Sequence, residues 1–314
     1  MKRIYWLLAC GFLVPLAPFG LALAESPPAQ SNTLKDSELT AIEQSYLDLN
    51  RAAKDYIGKP DRARAVAQVY ADHFRPLQNR ASLGSLSDRD LNAMFRAAAT
   101  MTFYDPVPER LSDLRMDLAQ LEHRGIATSD QITTVYGALY QSRSFPDMAA
   151  FSKAHAEAGL PAAVTSTKPI DTTERHLVLD VNNSSTVTPR IIPLENGVQI
   201  VVISNPGCHF TQWAVQAIEN DPDMRALMAT HSTWVAPADP NIDLAHFVAW
   251  NAAHPEAQIS LAGSHRSWPE VDIWQTPLFL YFKNGALVDE VVGWPREGNM
   301  AALKAAWAKA STTK

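Results

Sequence analysis

The chain has 314 residues, 46% of them hydrophobic and 9% aromatic, with a formal charge of −6. That length and apolar content exclude an intrinsically disordered chain and leave room for two domains. The acidic balance excludes the basic surface with which proteins hold nucleic acid, so no nucleic-acid partner is expected.

The first element in chain order is an export signal. Lys2 and Arg3 precede an apolar run from Ile4 to Leu23, and Ala22-Leu23-Ala24 offers a small-residue cleavage site before Glu25, so 1–24 reads as a signal peptide. Two readings compete with cleavage there. Cys10 follows Leu7-Leu8-Ala9 in a lipoprotein-like setting, and an uncleaved anchor would have to accommodate Pro15 and Pro18. Cleavage takes the formal charge from −6 to −8 and leaves Cys208 as the single cysteine of a periplasmic protein with no stable membrane insertion. In such a compartment paired cysteines become disulfides, so one unpaired thiol is either buried and inert or exposed and reactive.

Residues 25–35 are polar and proline-containing and read as a disordered leader. Residues 36–160 carry an all-α pattern. Ile42, Tyr46, Leu49, Ala53 and Tyr56 share one helix face, as do Leu91, Phe95 and Ala98, and then Leu111, Leu114, Leu118 and Leu121. Ser87 or Asp88 suits a helix start, Gly125 and Gly159 suit helix ends, and His73, His123 and His155 fall at core positions of these helices. The stretches 91–125 and 132–159 read as two helical hairpins with aromatic residues at Phe95 and Phe103 and at Tyr136 and Tyr140. They resemble a degenerate tetratricopeptide-type array, with a plain helical bundle as the competing reading. Either way this region is expected to bind or position a protein partner.

A change to proline, threonine and β-branched residues marks 161–182 as a linker, and 183–314 as a second domain of alternating strands and helices. "RIIPL" and "VQIVVI" flank Glu195-Asn196-Gly197 and are expected to form a hairpin. A helix from Cys208 to Met228, a strand "STWVAP", and a helix from Ile242 to Ala253 follow. "TPLFLYF" then pairs with "ALVDEVVGW" across Lys283-Asn284-Gly285, and a helix from Gly298 to Ala310 closes the region. Helices are expected on both faces of a central sheet.

Cys208 lies where an apolar strand gives way to a helix. There the sulfur meets the unpaired N–H groups of the first turn and the positive end of the helix dipole, which favour the thiolate. His209 beside it adds a donor or a positive charge. This region resembles the thioredoxin-like superfamily in three features: the strand ending at "NPGCHFT", the Thr276-Pro277 pair before "LFLYF", and the "KNGALVDEVVGW" hairpin followed by a last helix. The resemblance implies an α/β thioredoxin-like three-layer sandwich behind an all-α helical-hairpin domain. It also implies a cis Pro277 beside Cys208, with Thr276 presenting its backbone to a bound chain.

The sequence departs from that family's two-cysteine motif, because Cys208-His209-Phe210-Thr211 has threonine in place of the second cysteine. A single thiol forms a mixed disulfide but cannot release its partner by closing an internal one. The implied activity is therefore monothiol exchange with protein or small-molecule thiols and disulfides, with His209 and Thr211 tuning Cys208 and an outside thiol as resolver. No cofactor or metal is implied. Trp274 is the preferred rim of a substrate groove, and Arg266, in a mobile loop over 263–271, is expected to steady a thiolate or carboxylate. Two other readings stand beside this one: a non-enzymatic adaptor with a degenerate thioredoxin-like domain, and a thiol peroxidase, since "CHFTQW" resembles the segment around the reactive cysteine of thiol-type glutathione peroxidases.

Overall fold

The computed structural model describes residues 39–241 and 243–313, so the expected signal and leader lie outside the described residues. The helical part comprises α1 (Ala41–Asp55), α2 (Arg62–His73), α3 (Arg80–Ser85), α4 (Asp88–Tyr104), α5 (Pro108–His123), α6 (Ser129–Gln141) and α7 (Phe145–Ala154). Local chemistry sets the starts: Thr40 and Glu43 form a capping box on α1, and the Ser87 hydroxyl accepts the Asp90 N–H on α4. Gly125 and Gly159, at φ of 70° and 63°, occupy the left-handed positions that follow helix ends. The buried faces of α4 and α5 are the expected leucines, Phe95 and Ala98. Phe103 is 46% exposed. His73 and His123 face solvent and His155 is only half-buried, so the core positions expected for these histidines do not hold.

The sheet contains β1 (Thr165–Ser166), β2 (Leu177–Asn183), β3 (Thr186–Ile191), β4 (Val198–Ile203), β5 (Ser232–Ala236), β6 (Ile259–Ala262), β7 (Leu278–Lys283) and β8 (Ala286–Val292). Their order is β1-β3-β2-β6-β5-β4-β7-β8. The central β6, β5 and β4 are parallel; β7 runs antiparallel beside β4, and β8 antiparallel beside β7. Helices α8 (His209–Glu219), α9 (Pro222–His231), α10 (Leu244–Ala253) and α11 (Met300–Thr312) pack with one set of strand side chains, including Ile200, Val202, Phe279 and Tyr281. That apolar core is continuous with the helical part.

Several expectations change. The sheet begins inside the stretch read as linker: β1 at Thr165 pairs with β3, and β2 from Leu177 pairs with both β3 and β6. The hairpin expected between "RIIPL" and "VQIVVI" does not form: β3 turns back on β2, while β4 pairs with β5 and β7. The helix expected over 208–228 is two helices, since Asp221 caps a new start and Pro222 takes its first position. The second sheet face, with Val201, Ile203, Leu280 and Phe282, is covered by Ile192, Leu194, Trp268 and Val271 from connecting segments rather than by helices. Residues 263–271 are thus a packed cover. Trp268 is wholly buried, its indole N–H donates to the Leu177 carbonyl at 3.2 Å, and a Cβ on Gly263 would stand 2.5 Å from Leu177 Cδ2.

In the helical core, Asp113 and Asp117 of α5 are both buried. Asp113 takes hydrogen bonds from Arg75 (2.7 Å) and the Tyr70 hydroxyl (3.1 Å), whereas Asp117 has only the Gln78 amide (3.1 Å). Burial pushes the Asp117 carboxyl up to about 8; the Gln78 bond opposes this and the Asp113 charge adds to it. A carboxyl raised this way binds its proton more tightly folded than unfolded, so stability falls as pH rises from about 4 to about 8. Asp117→Asn removes that loss. Its melting temperature should exceed the parent's by about 3 °C or more at pH 8, with the gap closing towards pH 4; a gap that does not grow with pH refutes a neutral buried Asp117.

Candidate functional site

The candidate site forms where two neighbouring strands leave and enter the sheet. The β4–β7 register pairs Ile203 with Leu278, so the chain leaving β4 runs beside the chain entering β7. Leaving β4, Asn205 builds the turn: its side-chain oxygen accepts the Gly207 N–H at 2.8 Å and its carbonyl accepts the Cys208 N–H at 3.0 Å. Asn-Pro-Gly ahead of a helix is the sequence signal for this turn, and the structure adds that the Asn205 side chain closes it. Cys208 is the N-cap of α8, half-buried and free.

On the β7 side, the Thr276–Pro277 peptide is cis and Pro277 is buried. Cys208 Sγ lies 3.4 Å from the Thr276 carbonyl oxygen, to which its S–H donates. That contact favours the protonated thiol, but donors on other sides favour the thiolate. Burial alone raises the thiol pKa; the Thr276 hydroxyl, the N–H groups of Thr211 and Phe210 and the Thr211 hydroxyl outweigh it, and the net direction is downward. Thr211 is fully buried one turn along α8, with its hydroxyl also 3.5 Å from the Asn205 N–H.

Cys208, Thr211, Thr276 and Pro277 therefore come together. His209 is exposed beside them, with its ring against Phe210 (3.9 Å between centroids) and Trp213 (5.0 Å). Phe210 and Trp213 are themselves 39% and 43% exposed, which gives the first turn of α8 an aromatic surface. Trp274, two residues before Thr276, stacks on His265 at 4.7 Å. Arg266 is occupied elsewhere: its guanidinium bonds Asp105 at the end of α4 at 2.9 Å, so the carboxylate it steadies is internal. Among the described residues no group of three or more His, Cys, Asp or Glu is arranged to hold a metal ion, and no helix is long and apolar enough to cross a membrane.

Comparisons with family models, with curated proteins and with solved structures find no match for this chain.

The alkylation rate of Cys208 followed against pH should show a midpoint below the ordinary thiol value of about 8.5. Thr211→Val, which keeps the shape and removes the hydroxyl, should raise that midpoint by about half a unit or more. Arg266→Ala should leave it in place and cost no more than about 1 kcal/mol, as an exposed ion pair does. A Thr211→Val midpoint equal to the parent's removes the hydroxyl from the account of the thiolate.

Proposed function

We propose that the chain is an exported, periplasmic thiol protein of the thioredoxin-like kind that exchanges disulfides through Cys208 alone. The observation that carries this reading is the 3.4 Å contact between Cys208 Sγ and the Thr276 carbonyl, at a helix start and beside Pro277. The strand end at β4, the Thr276–Pro277 entry to β7, and the β7–β8 hairpin followed by α11 stand in the order expected of that fold.

The chemistry needs one thiolate and one outside thiol. The Cys208 thiolate attacks one sulfur of a disulfide; the old S–S bond breaks, a bond from Sγ forms, and the second sulfur leaves as a thiolate that takes a proton from water. With threonine at 211 there is no internal thiol to displace the bound partner. An external thiolate then attacks the mixed disulfide at the partner's sulfur, and the electron pair returns to Cys208. Thr211 and the first N–H groups of α8 hold the negative charge in each resting state.

The exposed aromatic residues beside Cys208 favour a second reading, an adaptor that docks a partner on this surface without chemistry. The two separate by experiment. Incubated with oxidised glutathione at pH 7, the folded protein should form one adduct on Cys208 at least about tenfold faster than the unfolded chain, and external thiol should reverse it. If only unfolding permits the adduct, or Cys208→Ser keeps full function in cells, the adaptor reading replaces exchange.

A further inference from the structure

A cavity of about 330 Å³ opens between the helical part and the loops at the carboxyl ends of β5 and β6. That end of a parallel sheet is where α/β folds place ligands, and the volume falls at the small end of the range that holds them. Its walls are aromatic. Phe103 and Tyr104 come from the end of α4, and Ile273 and Trp274 from the segment ahead of Thr276. Phe103 leaves nearly half its surface in water there, with its ring edge-on to Tyr104 at 5.1 Å.

The polar groups narrow the ligand further. His265 stacks flat on Trp274, 25° from parallel, and burial with the nearby Arg143 charge pushes its pKa down to about 4, so the pair is a neutral wall at physiological pH. Lys59 and Arg62 also line the cavity, but Asp239 and Asp272 balance them. Arg62 is further held by the Ala53 carbonyl at 2.6 Å and lies over the Tyr104 ring. Neither an anion nor a cation is selected. Asp239 has one oxygen engaged by the Asn241 N–H at 2.8 Å; burial pushes its carboxyl pKa up, against that bond and the nearby Arg143 charge, and its other oxygen is placed to accept one donor from a ligand.

We propose that this cavity binds a neutral aromatic ring carrying a hydrogen-bond donor, of the phenol class, with the ring against Trp274, Tyr104 and Phe103 and the donor on Asp239. The ring has two sources, a free small phenol or the tyrosine side chain of a polypeptide. The site goes beyond thiol exchange and does not depend on it, although Trp274 and Thr276 share one short segment, tightened by the Gln275 N–H to Ile273 carbonyl bond at 3.0 Å.

Titration calorimetry on the full chain tests this with three probes: p-cresol, toluene, and an acetylated Gly-Tyr-Gly amide. p-Cresol should saturate one site with a Kd on the order of 0.1–1 mM, as a ligand of this size allows. Toluene should bind at least about fivefold more weakly, because it lacks the donor. Trp274→Ala and Phe103→Ser should each weaken p-cresol by about tenfold, and Trp274→Phe should restore most of it. Should Trp274→Ala fail to fold, Phe103→Ser at its exposed position carries the test. Cys208→Ser should bind like the parent, so that failure of thiol exchange and failure of this site are read separately. Binding of the peptide assigns a tyrosine side chain, and binding of p-cresol alone assigns a free phenol; both support the site. Absence of saturable p-cresol binding up to about 10 mM, equal binding of toluene, or full affinity in Phe103→Ser overturns it.

Discussion

The pairing of β4 with β7 is the constraint on which the site depends. Six residue pairs from Val198–Lys283 to Ile203–Leu278 fix the register, and every residue of the two strands except Gln199 and Lys283 is packed in an apolar layer. A one-residue slip would exchange Ile200 and Val202 with Val201 and Ile203, moving each set into the wrong layer. The cost of that exchange holds Cys208 and Thr276 at contact distance although they are 68 residues apart in sequence. The thiol's environment is thus set by core packing, and the local turn at Asn205 only completes it.

What was legible in the sequence followed from signals with local causes. The strand-to-helix position of Cys208 could be read from "VQIVVI" followed by Asn-Pro-Gly, and the β7–β8 hairpin from Lys283-Asn284-Gly285, because caps and turns act within a few residues. The same kind of signal misled at Glu195-Asn196-Gly197. Gly197 does take a positive φ of 68°, but the turn docks on the next one: the Gly197 N–H donates to the Asn284 side chain and the Asn284 N–H to the Gly197 carbonyl. An Asn-Gly turn reports where a chain bends, and only packing decides which strand it meets.

Other features left weaker traces. The strand β6 has four residues, all buried, so it shows no alternation by which a half-buried strand is recognised. The cover of the second sheet face depends on Trp268, whose surroundings in "GSHRSWPEV" read as a polar loop, yet whose indole bonds a strand carbonyl from 91 residues earlier. Arg266 illustrates the same limit. Its charge could be read from the sequence, but its partner Asp105 lies at the end of α4, 161 residues before it.

The helical part bears on the site through that same long-range chemistry. Arg143 follows α6 with a φ of 60°, unusual for a side chain of its size, and its buried guanidinium donates to the Ala262 carbonyl at the end of β6 at 2.7 Å. Gln141, on the last turn of α6, donates to the Ala238 carbonyl just beyond β5 at 3.1 Å and to Phe103 at the end of α4 at 3.0 Å. A hydrogen bond from a buried charged group contributes more than a neutral one, and leaving either donor unpaired would cost more still. The loops beyond β5 and β6 therefore owe their positions to α6 as much as to the sheet. Since those loops wall the cavity lined by Trp274, Phe103 and Tyr104, the helices and the sheet fix its shape together.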